Sequence, residues 1–355
     1  MAKILIKNGR VWDGERFFYA DVLTDGQKIA KIEPEIEEPC DYRYDATGKT
    51  VSAGLVDTHV HMRATPTDRF GIQAEMSCFP FGVTAAADAG REDGEKEIFD
   101  SFMLKNLVFV TVAIENNEAM LERAQKHIER FGDRAVGVKV YFDVSESEVR
   151  DITPLKNICA FAKARGLRVM VHCAGSPCPM ADILATLNEG DILTHVFHGG
   201  VNTSAEDDFA SVKAAQARGV IIDAGFAGYV HTDFEIFTKA IKSGFVPNTL
   251  STDITKLSAF VRGGRYGMTM CMSLARLAGM SEEDIFRCVT SNAARALGQS
   301  DEWGSLKVGG AADIAVLEYT SEGFDLTDKY GNRVKSDNGY RCTFTVSDGQ
   351  IVYRD

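Results

Sequence analysis

The sequence predicts an α/β protein: a (β/α)8 TIM-type barrel with a small β domain formed by the N- and C-terminal segments. Three observations carry that expectation. Eight short apolar runs are spread through the middle of the chain, helical stretches with a period near 3.6 lie between them, and turn-rich β segments occupy both ends. A length of 355 residues suits one large barrel with a small appendage, or two medium domains.

Residues 1 to about 52 read as short strands broken by turns. Lys3–Ile6 runs into Asn8-Gly9, Val11-Trp12 into Asp13-Gly14, and Asp25-Gly26 precedes a further apolar stretch. Asn-Gly and Asp-Gly are strong turn signals, so a β meander is expected. The eight runs that follow are Gly54–His59, Val83–Asp88, Leu107–Ile114, Ala135–Tyr141, Leu167–His172, Asp191–His195, Val220–Asp223 and Thr249–Asp253. Helix candidates between and after them include Glu118–Arg130, Pro154–Arg165 ended by Gly166, Ser281–Val289 and Ala293–Leu297. Gly304–Ala311, Asp313–Leu317 and Tyr340–Val346 return to β character. Chain ends often lie close together, so residues 1–52 and 304–355 are expected to meet as one small β domain. Residues 53–303 would then form the barrel.

Composition narrows the function. The formal net charge of −12 disfavours nucleic acid and anionic membrane, which need a basic footprint. No run approaches the length of a membrane span, and the apolar stretch Ile4–Ile6 is too short for a signal peptide. The eight cysteines form no Cys-x-x-Cys pair, which argues against zinc ribbons and dithiol redox sites. Reduced thiols fit a cytoplasmic protein. The expected partner is a small-molecule substrate, and a homo-oligomer is expected.

In a barrel of this kind, chemistry sits at the C-terminal ends of the strands. The first run ends in Asp57-Thr58-His59-Val60-His61, the fourth carries Lys139, the fifth and sixth end in His172 and His195, and the eighth ends in Asp253. His59 and His61 are two apart on a strand and leave on the same face, where two imidazoles can grip one cation such as Zn²⁺. His172 or His195 alone would read as a hydrogen-bonded rim histidine. Together with His-x-His, in a chain of only seven histidines, they read as ligands. Lys139 lies inside an apolar run, where an ammonium is costly to desolvate. Either it snorkels to the strand end, or its depressed pKa lets it take up CO2 as a carbamate. Such a carbamate could bridge two metal ions about 3.5–4 Å apart. Asp253 reads as the last ligand and a general base, with a helix N-cap as its bland alternative.

This pattern resembles the amidohydrolase superfamily with a carboxylated-lysine binuclear centre. ILIKNGRVWDG and GSLKVGGAADIAVLE resemble its opening and closing β segments, and SNAARALG its last helix. GVTAAADAG, GDILTHVFHG and STD after FVPNTL resemble a dihydroorotase-like deacetylase group. That resemblance implies hydrolysis of N-acyl-D-amino acids or acetylated hydroxy acids by metal-activated hydroxide. It also implies two divalent ions, expected to be zinc, and a CO2-derived carbamate on Lys139. His59 and His61 would bind the more buried ion, His172 and His195 the more exposed one, and Lys139 would bridge. A cyclic amidohydrolase (dihydroorotase or hydantoinase) is the alternative of the same chemistry. A metal-free scaffold is the alternative of another class.

Two positions depart from the group. Phe226 stands where a loop histidine is common, with His231 five residues on. Arg63 follows the histidine pair as HVHMR, a pattern closer to dihydroorotases, in which the arginine is implied to bind a substrate carboxylate. His198 and His231 are further candidates for substrate contact, His198 otherwise being an exposed loop residue. Asp88 is a candidate to hydrogen-bond a ligand histidine.

Overall fold

The computed structural model describes residues 2–92, 94–261 and 266–355. Its centre is a parallel seven-stranded sheet: Leu55–Val60, Val83–Arg91, Lys105–Thr111, Ala135–Tyr141, Arg168–His172, Ile192–Thr194 and Ile221–Asp223, adjacent in chain order. These strands are buried almost throughout, as a parallel sheet covered on both faces requires. Seven of the eight predicted runs therefore form strands.

The eighth run does not form a strand. Thr249–Asp253 touches its neighbours only through isolated parallel bridges, Asp223↔Thr249 on one side and Val60↔Ile254 on the other. Asp253 explains the broken ladder, because its φ of 47° turns the chain into the left-handed region. The segment still lies between the last strand and the first. The Asp253 amide donates to the His59 carbonyl (2.7 Å), and the Ala224 amide to the Thr249 carbonyl (3.1 Å). Buried carboxylates reinforce this seam. Asp57 accepts from the Thr252 hydroxyl (2.6 Å), and Asp223 from the hydroxyls of Thr249 and Ser251 (2.6 Å each).

The two chain ends meet in one eight-stranded sheet. Thr50–Ala53 lies at its middle, parallel to Ile4–Trp12 and antiparallel to Ile314–Thr320, and Gly54 then leads into the first strand of the parallel sheet. Gly304–Ala311 was expected as β but is turn and coil, with one bridge from Ala311 to Lys28. The predicted helices appear with shifted ends. Glu118–Ala119 pairs as a short strand and the helix begins at Leu121, while Ser281 caps Glu282–Val289 by accepting from the Asp284 amide. Among the described residues no helix is long and apolar enough to cross a membrane.

Candidate active site

The strand ends converge on a cavity of about 420 Å³ lined by His59, His61, Lys139, His172, His195, His231 and Asp253, with Phe70, Tyr141, Glu146, Val230 and Ser258 among its walls. His59 and His61 leave the first strand on one side, as the period-two alternation requires. Asp253 binds both, its Oδ1 lying 3.1 Å from His59 Nε2 and 2.8 Å from His61 Nε2. Its carboxylate is therefore not the cap of the following helix. Thr255 and Ser258 do that, each side-chain oxygen accepting from the other's amide.

Three of the imidazoles are oriented from behind. His59 Nδ1 is 3.2 Å from the Thr194 hydroxyl, which donates to Asp223 (2.7 Å). His172 Nε2 lies 3.1 Å from the Ala174 carbonyl and 3.4 Å from Asp143, leaving Nδ1 to face the cavity. His195 Nδ1 is 2.7 Å from the Gly225 carbonyl. That contact needs a glycine, since a Cβ at Gly225 would sit 2.5 Å from His195 Nδ1 and 2.2 Å from the Thr194 hydroxyl. Such backing fixes which nitrogen a ligating histidine can offer.

Lys139 is fully buried, its Nζ 3.2 Å from His59 Nε2, and burial lowers its pKa to about 8. Burial also lowers His59 to about 3 and His195 well below the usual histidine value. Burial alone would raise Asp253, but the adjoining His59 and His61 outweigh it and hold the carboxylate ionised. A divalent cation needs neutral imidazoles and an ionised carboxylate in its ligands, and the directions at His59, His195 and Asp253 run that way.

Among the described residues two groups of donors could hold an ion: His59, His61 and Asp253, and His172, His195 and His231, with the ligand atoms of each group within 4.8 Å of one another. His195 Nε2 is buried without a hydrogen-bond partner, an expensive state for a polar atom and the one a metal ligand would show before its ion is counted. The donor set fits a divalent metal. His195 and Asp253 both carry positive φ, 69° and 47°, so the backbone is strained where the chemistry would be.

The remaining candidates fall differently. Arg63 donates to the carbonyls of Thr65 and Pro66 in its own loop, and among the described residues no arginine lines the cavity. Asp88 accepts from the Met62 amide (2.7 Å) and faces Arg91, so it braces the main chain beside His61 rather than an imidazole. His198 is fully buried, not an exposed loop residue, and lies outside the cavity lining. His231, by contrast, stands against both His172 and His195. Phe226 is buried against Phe237. Asp143, Asp223 and Thr194 were not singled out from the sequence. Asp223 was visible as the end of the seventh run, the one signal that could have found it.

A model of the amidohydrolase family matches residues 50–352. A deacetylase of Enterococcus faecalis is 28% identical, the match covering 98% of each chain. A dihydroorotase of Lactobacillus acidophilus is 32% identical over 45% of this chain and 34% of its own. A solved structure described as a dihydroorotase superimposes with a TM-score of 0.87 at 23% identity, covering 99% of this chain and 98% of that one, which speaks to the fold.

Proposed function

Because the chain belongs to the amidohydrolase family, we propose that this hydrolase of C–N bonds acts on small N-acyl compounds as a deacetylase. The curled sheet with its closing segment is read as a (β/α)8 barrel, and the terminal sheet as its small companion domain. One observation carries the reading: Asp253 joins His59 and His61 in the same cavity that His172 and His195 line, with His195 Nε2 3.8 Å from the Asp253 carboxylate and Lys139 beside His59.

In this proposal His59 and His61 would hold one divalent ion, His172 and His195 would hold a second, the outer one, and Lys139, as its carbamate, would serve as a ligand to both. When bound, such ions, with zinc the expected metal, supply a water acidified toward neutrality and a Lewis acid for the scissile carbonyl. Asp253 takes the proton of the attacking water and returns it to the leaving nitrogen, work for which an ionised carboxylate is suited. Thr194 and Asp143 keep the imidazoles in their ligating tautomers. Phe70 and Val230 offer apolar walls to an acyl group, and Glu146, Tyr141 and Ser258 offer polar contacts. Arg63 donates to its own loop and is absent from the cavity lining, so it is not assigned as a carboxylate clamp.

A second reading, opening of a cyclic amide, is favoured by the partial match to a dihydroorotase. A panel of N-acetyl-D- and L-amino acids, their carboxamides, acetylated hydroxy acids, dihydroorotate and hydantoins separates the two. Acetate release from an acylated amine is the expected result. Ring opening with no acetate release would transfer the assignment to the cyclic amides.

A further inference from the structure

We propose that His231 is a third nitrogen donor to the outer ion, delivered by the loop after the seventh strand and held in place by the turn Asp328–Asn332 near the chain's other end. The inference rests on the two-ion reading above and adds a ligand to it. His231 lies with His172 and His195 in one donor group, its ring centroid 4.9 Å and 4.5 Å from theirs. The backing of His172 by Asp143 and of His195 by Gly225 leaves Nδ1 of the first and Nε2 of the second facing this spot. His231 makes no side-chain hydrogen bond to another described residue, so its ring nitrogens are not committed elsewhere. Three imidazoles whose ligand atoms lie within 4.8 Å of one another are a familiar donor set for zinc.

The loop that carries His231 is not a relaxed one. Ala227, Gly228 and Tyr229 have φ of 48°, 58° and 75°, three left-handed residues in succession that must be held by their surroundings. On the inner side, the Ala227 amide donates to the Thr252 carbonyl (3.0 Å). On the outer side the C-terminal turn ties down both flanks of His231. The Lys329 amide donates to the Tyr229 carbonyl (3.3 Å), the Asn332 side chain to Asp233 (3.0 Å), and Asp328 accepts from the Phe234 amide (2.9 Å). His231 lies midway between the two tethered residues, Tyr229 and Asp233. The turn is itself preformed, because Asp328 also accepts from the amides of Tyr330 and Asn332 (2.9 Å each). Asp328 and Asn332 are thus positioning residues that act through His231.

Cobalt(II) titration of the metal-depleted, full-length protein, read by its visible absorption and by bound metal, tests this. Wild type should take up two equivalents. In His231→Ala and His231→Asn the second should bind on the order of tenfold or more weakly with the first unchanged, a loss of the size that supporting ligand-shell changes cause. Asn332→Ala should weaken the same step. His231→Cys should restore binding and add a thiolate-to-cobalt charge-transfer band, which appears only if position 231 touches the ion. Two unchanged binding steps in both His231→Ala and His231→Asn, with no such band in His231→Cys, would overturn the inference while leaving the two-ion reading standing. A wild type that takes up fewer than two equivalents would instead remove that reading, and this inference with it.

Discussion

Lys139 has no access to water, and its amine sits against His59 rather than a carboxylate. Only a neutral amine adds CO2, and a lysine is neutral above its pKa, so carbamate formation should quicken as pH rises through about 8. Metal-depleted protein given zinc should therefore recover activity faster with bicarbonate than in CO2-free buffer, and faster above that pH than below it. Equal recovery with and without bicarbonate would leave Lys139 a plain buried lysine. Asp253→Asn keeps an oxygen for the ions but loses the proton acceptor. Its kcat should fall roughly 10²–10⁴-fold while its metal content is largely retained. A variant that loses metal and rate in step would make Asp253 a ligand only. The six ligands expected from the sequence were legible because each lies in or at the end of an apolar run and costs too much there without a reason. Asp143 and Thr194 were not, since a residue that hydrogen-bonds a neighbour across the fold leaves no spacing in the sequence, whereas Asp223 showed as the end of the seventh run. Arg63 was read from its place after the histidine pair, yet its guanidinium donates to two carbonyls of its own loop.

The loops that follow the sixth and seventh strands carry His195, Gly225 and His231, and their geometry depends on small residues at fixed points. Gly225 has φ of 56° and no room for a Cβ beside His195. Gly225→Ala should cost about 1–3 kcal/mol in the metal-depleted protein, the usual range for backbone strain, and should also displace His195. Denaturant unfolding measures the first effect and the affinity of the second metal equivalent the second. Unchanged values of both would mean that the loop adjusts freely. At this scale the strands were read well and their partners less so. Thr249–Asp253 has the residue pattern of a strand, but serine and threonine side chains bonded to Asp57 and Asp223, with a left-handed Asp253, take the place of a ladder. The loop that turns His231 inward depends on a chain segment about a hundred residues away, which no local pattern could reveal.

Over the whole molecule, the ends of the chain are built into the core of the middle. Trp12, Leu317, Tyr340 and Cys342 belong to the same buried cluster as the strands and helices of the parallel sheet. The Trp12 indole donates to Thr290 (3.1 Å), Arg10 pairs with Glu282 (2.8 Å), and Thr345 donates to the Phe79 carbonyl (2.8 Å). Unfolding should therefore be a single cooperative transition, and a chain ending at Gly304 should give no folded protein. Two separated transitions, or a soluble and folded truncated chain, would show two independent units. That the termini meet was readable from β segments at both ends. The depth of their engagement was not, because it rests on contacts between residues nearly three hundred positions apart.

The central claim is that these imidazoles, the lysine and Asp253 form a two-metal hydrolytic centre. Counting metal per chain in purified protein, before and after chelation and with hydrolysis of the identified substrate followed in the same samples, tests it most directly. About two equivalents of divalent metal should be present, with activity lost on chelation and restored by zinc or manganese. A protein with no bound metal that hydrolyses its substrate at full rate would contradict the account.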